Sequence, residues 1–455
     1  MNTNPHEFRG TPESQQITLR GPAELADALP FMLGFHPTDS VVLVALHGEH
    51  GRFGGRVRLG IPRSANEWPS TAEHLAECLV DGCVRRGTRP DGIVVFLCQD
   101  PAPGETGRHV MERLSPFAQR LRTACGALDI PVHEALCISD GLYFSYCCPD
   151  IRCCPPDGTP LALTGTSVMA ASAAYAGIQV RGSLRDMEAR LTPRISPSAE
   201  DERQRKALNE AAAVIVPKIF DGPPGAGRAD VRKTTLGLAR EVLRRLDAPA
   251  ATPLPTDGRG PATAEQDAAD DAAIDADEAA ALILGLQDRE TRDQAAEWME
   301  GSEGASALRL WRVLARRCVA PFGEHAAAPL TLAGWVAWST GDEPAARVAL
   351  GLALAADPDY VFARLLHQAC NEGLDPESLR SCLRQERGSR TAAPEQPAAL
   401  RPVKAGKAVK AGRAPRKGAP SAGTRPGKGS GRQARAAATR PGGPRGGQRG
   451  TRSGR

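Results

Sequence analysis

Aromatic residues are scarce in this chain: Phe, Trp and Tyr make up 4% of 455 residues, and none follows Phe362. A packed core needs large apolar side chains, so it must be confined to part of the chain. Gly and Pro are plentiful instead, at 47 and 38 residues, which points to segments that do not pack. No run approaches the roughly eighteen uninterrupted apolar residues of a membrane span, so no membrane crossing is expected. The opening residues MNTNPHEFRGTPESQQ lack both a basic n-region and an apolar h-region. No secretory signal is read there, and the expected compartment is the cytoplasm. In that setting the twelve cysteines are expected as reduced thiols, buried small hydrophobes or metal ligands, not as a disulfide framework.

Acidic residues are missing altogether from 401–455, where sixteen of the 57 Lys and Arg lie. The residues before 401 carry twelve more acids than bases, so the overall charge of +4 hides an acidic body with a cationic tail. From Gly388 onward the composition is dominated by Pro, Gly, Ala, Arg and Lys, and 388–455 is expected to be disordered. Lys404, Lys407, Lys410, Arg413, Arg416, Lys417, Arg425, Lys428, Arg432 and Arg435 then form a surface for nucleic-acid phosphates. With no aromatic side chain to stack on a base, such contact carries no sequence preference. The competing reading is that the tail only solubilises the chain or folds back on the acidic stretch 265–278.

Length implies two folded domains plus unstructured segments. Residues 1–16 are expected to be disordered, and 17–247 to form an α/β domain with trailing helices. Within it the hydrophobic period switches repeatedly. A helix is predicted over 22–33 with Gly34 as its stop, a buried strand over 41–46, and a return strand over 56–61. Helices over 70–86 and 108–127 alternate with strands over 92–98, 132–138 and 142–147. Strands joined directly sit beside strands joined by helices, so the expectation is a mixed sheet with packed helices. Further helices follow over 167–176, 183–191 with Ser183 as N-cap, 200–215 and 229–246. Residues 248–277, rich in Pro, Gly and Ala and then in Asp and Glu, are expected as an acidic disordered linker. An all-helical domain is expected over 278–387, with Trp298, Trp311, Trp335 and Trp338 as core anchors. Trp335 through Asp357-Pro358 resembles one tetratricopeptide-type hairpin, and no second copy appears at a 34-residue period. This domain is the expected surface for a protein partner.

Four cysteines crowd into CCPDIRCC at 147–154, before Pro155-Pro156-Asp157-Gly158. Cys148, Cys153 and Cys154 are the candidate metal ligands, with zinc admissible but not expected, because two adjacent pairs are awkward around one ion. Cys137 and His133 are further candidates to complete such a set. The favoured reading is buried thiols in a tight turn at the sheet edge. His36, Asp39 and Ser40 bring an imidazole, a carboxylate and a hydroxyl to a strand entrance, making them the candidate catalytic residues, although Thr38, Asp39 and Ser40 are also turn formers. Gly222 to Ala229 mimics a phosphate loop, but Arg228 and Ala229 stand where lysine and a hydroxyl are needed, so no nucleotide is expected there. Cys78 and Cys83 sit about 140° apart around one helix and cannot share a ligand face.

Leu33-Gly34-Phe35-His36-Pro37 with Asp39-Ser40, Cys148 with Cys153-Cys154-Pro155-Pro156, and Ala174-Tyr175-Ala176-Gly177 together resemble an actinobacterial family, domain of unknown function four-one-nine-two. The resemblance runs over about 17–385. Cys147 replaces a more usual non-cysteine residue, which weakens a four-cysteine site. The resemblance implies no activity, substrate or cofactor. The expectation is a cytoplasmic binding or scaffold protein whose tail contacts nucleic acid. The alternative is an enzyme with a cleft lined by His36, Asp39, Ser40 and the cysteines.

Overall fold

The computed structural model describes residues 21–48, 51–161, 168–175, 177, 180–193, 199–220, 225–247 and 261–392. The expected disordered N-terminus over 1–16 and nearly all of the tail, 393–455, lie outside them, as do residues 221–224 of the glycine loop.

The chain opens with helix α1 (Pro22–Leu33), then strands β1 (Ser40–His47) and β2 (Arg52–Gly60). Helix α2 (Trp68–Arg85), strand β3 (Gly92–Cys98), helix α3 (Gly107–Ala127), and strands β4 (Val132–Ser139), β5 (Leu142–Ser145) and β6 (Thr159–Pro160) complete the sheet portion. The strand order is β2-β1-β3-β4-β5-β6. Only β3 and β4 pair in parallel, joined through α3; every other neighbour is antiparallel. The connections account for the mixed sheet: α3 carries the chain across between the parallel β3 and β4, as such a pair needs, the short turns between β1 and β2 and between β4 and β5 give antiparallel pairs, and α2 returns β3 antiparallel beside β1.

Alternation along each strand divides the core into two layers. Val41, Leu43 and Ala45 of β1 with Ile93, Val95 and Leu97 of β3 pack under α2 and α3. Val42, Val44, Val94 and Phe96 point the other way, into a larger core shared with α1 and most of the later helices. Both faces of β1 and β3 are therefore apolar, as a central strand requires.

Gly34 ends α1 in the left-handed conformation, φ 83°, its N–H donating to the Pro30 carbonyl. A Cβ at this position would collide with the ring of Pro344. Gly34→Val is therefore expected to destabilise the protein by more than the ~1–2 kcal/mol of left-handed strain alone, measured by denaturant unfolding. A loss under that figure would mean the two segments separate readily.

The helical part runs α4 (Val168–Tyr175), α5 (Leu184–Ala189), α6 (Ala199–Phe220), α7 (Ala226–Asp247), α8 (Pro261–Ala272), α9 (Ala276–Gly285), α10 (Arg289–Ala295) and α11 (Gly301–Arg316). It ends with α12 (Ala327–Ser339), α13 (Glu343–Ala356), α14 (Val361–Asn371) and α15 (Glu377–Ala392). Ser183 caps α5, accepting from the Asp186 N–H at 3.1 Å. The four tryptophans are core residues: Trp335 is fully buried and donates its indole N–H to the Ala296 carbonyl at 2.8 Å. α12 and α13 form the hairpin expected near Trp335, and Gly334 lets Leu350 and the Ala346 carbonyl approach closely.

Two expectations are corrected. The acidic segment is not a linker over its whole length, since 261–272 is helix α8 and α9 starts at Ala276. Its carboxylates find arginines. Asp267 receives Arg190 at 2.7 and 3.0 Å, the almost fully buried Asp270 receives Arg309 at 2.5–3.1 Å, and Asp271 receives Arg316 at 2.6 Å. The α/β and helical regions also share one continuous core that takes in both Phe96 and Trp335, so among the described residues they do not form separately cored domains, while residues 248–260 of the expected linker lie outside the described residues. The second correction concerns the C-terminus, where α15 carries order to Ala392, past the expected limit at 387, because Arg384 and Arg387 pair with Glu300 and Glu303.

Candidate metal centre

The segment after β5 leaves the sheet under control of a single hydroxyl. The Ser145 Oγ accepts the N–H groups of Cys147 and Cys148 at 3.1 and 2.9 Å while donating to Glu134 Oε1 at 2.8 Å. Pro149 and Asp150 then turn the chain. The Asp150 carboxylate accepts from the Arg152 N–H at 2.9 Å, and its carbonyl accepts from the N–H groups of Cys153 and Cys154 at 3.1 and 2.8 Å. The Arg152 N–H and then its guanidinium hold the Asp150 carboxyl below its usual range, and the carbonyl bonds close a turn that folds Cys153 and Cys154 back over Cys148. The return is pinned by Gly158, φ 84°, packed on Phe144, and by the Arg108–Asp157 ion pair at 3.1 Å, before β6 rejoins the sheet.

The result is a cluster of three thiols. The sulfurs of Cys148, Cys153 and Cys154 all lie within 4.8 Å of one another, with Cys153 and Cys154 at 3.9 Å. Tetrahedral coordination at Zn–S of about 2.3 Å sets ligand sulfurs roughly 3.8 Å apart. Cys153 is exposed, and Cys148 and Cys154 are half-buried. The expectation of buried thiols is thus corrected: a Pro-rich turn held by the Ser145 hydroxyl and by Asp150 leaves its sulfurs reachable. Burial, with the Cys148 and Cys153 sulfurs beside it, pushes the Cys154 thiol up to about 12.

Cys147 takes no part. It is half-buried toward Glu134, whose neighbourhood adds to burial in raising its thiol pKa. The steric objection to two vicinal pairs around one ion disappears once one of the four cysteines turns away. Cys137 is fully buried on β4, hydrogen-bonded to Tyr146 and pushed up to about 11 by burial. His133 lies against Gly92. Neither reaches the cluster, and among the described residues no fourth His, Cys, Asp or Glu joins the three sulfurs.

The candidate catalytic residues lie elsewhere. Ser40 is fully buried, its hydroxyl donating to the Thr38 carbonyl at 2.7 Å and accepting from Arg58 at 3.1 Å. Asp39, at φ 45°, is exposed and accepts from Gln99 at 3.2 Å and Arg185 at 3.1 Å. His36 is a surface side chain whose backbone bonds Gly182 and Leu184, with its imidazole pKa lowered by neighbouring protein. β1 and β5 are three inter-strand steps apart, about 14 Å, so Asp39 and Ser40 do not share a cleft with the cysteine loop. Cys83 is core, and Cys78 is exposed with its sulfur 3.4 Å from the His74 Nε2.

The family model described as Domain of unknown function (DUF4192) matches residues 22–377, more than three quarters of the chain and inclusive of both the sheet and the cysteine loop. The chain belongs to the DUF4192 family. Within this DUF4192 chain, residues 22–377 take in both layers of core together with the clasped acidic helix. No curated protein and no solved structure matches the chain. No helix among the described residues is long and apolar enough to cross a membrane.

Proposed function

We propose that this protein is a binding protein organised around a thiolate metal centre, with Cys148, Cys153 and Cys154 holding a thiophilic divalent ion, zinc before others. The observation that carries this reading is the convergence of three accessible sulfurs at a spacing a tetrahedral ion accepts. With three protein ligands, the fourth position falls to water or to an incoming ligand, the arrangement that distinguishes open zinc sites from closed structural ones. The twelve free thiols fit the cytoplasm, where they stay reduced.

Metal content decides it. Untagged protein is expected to carry about one zinc per chain, and cobalt(II) added to metal-stripped protein is expected to give thiolate charge-transfer bands. Cys153→Ser should weaken binding by more than the about 10–100-fold that loss of an outer-shell partner costs. Cys147→Ser should leave it unchanged. Because the metal-free Cys154 thiol keeps its proton until well above neutral pH, the ion must displace that proton, and affinity is expected to rise with pH, by about tenfold per unit for each proton released. Metal-free protein that takes up neither zinc nor cobalt, or binding unchanged in Cys153→Ser, would refute the proposal.

A further inference from the structure

Where α5, α8 and α11 meet the start of α13, the charges do not balance. Arg190 is held by Asp267 in two bonds, Arg316 by Asp271, and Arg181 by Asp342 at 3.1 Å. Asp342 also caps α13, accepting from the Ala345 N–H. That leaves Arg312. It projects from α11 between Arg309 and Arg316, and its electrostatic neighbours are Arg190, Asp267, Asp342 and Arg316. Neither Asp267 nor Asp342 comes within ion-pair distance of it. Among the described residues no carboxylate, carbonyl or hydroxyl accepts a hydrogen bond from its guanidinium. The cluster therefore holds four guanidiniums against three carboxylates, and the one without a partner is Arg312, half-buried among them.

A guanidinium in that position stays charged, because even desolvation, with Arg190 adding to it, pushes its pKa down only to about 10. It carries five donors and no acceptor, and an unpaired charge withdrawn from water is costly. Yet the residue keeps part of its surface open to solvent, so the unfilled donors are reachable from outside. Bare hydration is a poor substitute in such a place. A planar oxyanion matches the guanidinium fork with two parallel bonds and would bring the local charge to zero.

We infer that Arg312 is the anchor of a small-oxyanion site, taking a carboxylate- or phosphate-bearing molecule between α5, α11 and the start of α13. Arg190 and Arg181 border the entry and add to the attraction, while Asp267 and Asp342, already engaged, limit the site to a single negative charge. The inference is independent of the thiolate centre.

The test is thermal unfolding and calorimetric titration of the full chain with sodium phosphate and sodium acetate, against sodium chloride at matched ionic strength. Wild type is expected to show a saturable rise in unfolding midpoint and one calorimetric site with at least one of the two anions. Acetate alone would assign a carboxylate ligand, and phosphate alone a phosphate. Arg312→Met should lose the saturable effect. Arg312→Lys, which keeps the charge without the fork, should weaken binding about tenfold or more, and it serves where the Met variant does not fold. The basic tail is present in every variant, so anion binding to it cancels in the comparison. A wild-type midpoint that answers phosphate and acetate no differently from chloride, or an anion effect retained in full by Arg312→Met or Arg312→Lys, overturns the inference.

Discussion

Replacing Asp270 by alanine is expected to cost roughly 3–5 kcal/mol of folding stability, the penalty for leaving one charge of a buried pair without its partner. The Asp270 carboxylate is almost entirely withdrawn from solvent, receives three bonds from Arg309 at 2.5–3.1 Å, and takes a further bond from Gln266 at 2.7 Å. Arg309 also donates to the Leu246 carbonyl at the end of α7, so the pair ties α7, α8 and α11 together. With the carboxylate gone, the guanidinium keeps its charge and only the Leu246 carbonyl as acceptor. The double variant Asp270→Leu/Arg309→Met removes both charges and should recover much of the loss, since two apolar groups need no desolvation. Urea unfolding of the three proteins provides the measurement. An Asp270→Ala change within about 0.5 kcal/mol of wild type would place it with ordinary surface substitutions and show that α8 does not depend on its clasp.

That helix also marks where the sequence was hard to read. Counting Asp and Glu over 265–278 gives an acidic, weakly apolar stretch, and composition alone argues for disorder. Spacing argues the reverse. Asp267, Asp270 and Asp271 fall three and four residues apart, on one helical face, and Arg309, Arg312 and Arg316 repeat at three and seven on α11. Two complementary stripes were present, but nothing local tells that α8 and α11 are neighbours, because the pairing spans about forty residues of chain. The sheet portion was legible for the opposite reason. Its central strands β1 and β3 are short apolar runs, its helices have clear amphipathic periods, and short turns give the antiparallel pairs β1/β2 and β4/β5. Cys148, Cys153 and Cys154 were visible as candidates, yet their burial was misjudged. Whether such a turn sinks into the core or stands away depends on the backbone acceptors Asp150 supplies. A Pro-Asp pair ahead of Arg-Cys-Cys was the signal for that turn.

The clasp bears on the tail as well. If residues 401–455 folded back onto the acidic stretch, they would have to displace arginines that hold Asp267, Asp270, Asp271 and Glu278 in paired bonds, the last from Arg245 at 2.9 Å. A flexible lysine or arginine pays ordering entropy that the helix-borne arginines do not. We propose that the sixteen cations of the tail serve an outside polyanion, nucleic acid held through its phosphates. Truncation after Ala392 is expected to abolish binding to duplex or single-stranded nucleic acid. That cut keeps α15 with its Arg384–Glu300 and Arg387–Glu303 pairs, so the folded part is not disturbed. In the intact chain, occupancy of 6–10 phosphates would make affinity fall about 10³–10⁵-fold between roughly 50 and 200 mM salt. Scrambling the nucleic-acid sequence should change it little, since no aromatic side chain follows Phe362 to read or stack on a base. Fluorescence anisotropy across a salt series measures both quantities. Retained binding after truncation would move the contact to the folded residues, and an affinity flat in salt would show that phosphates are not what the tail holds.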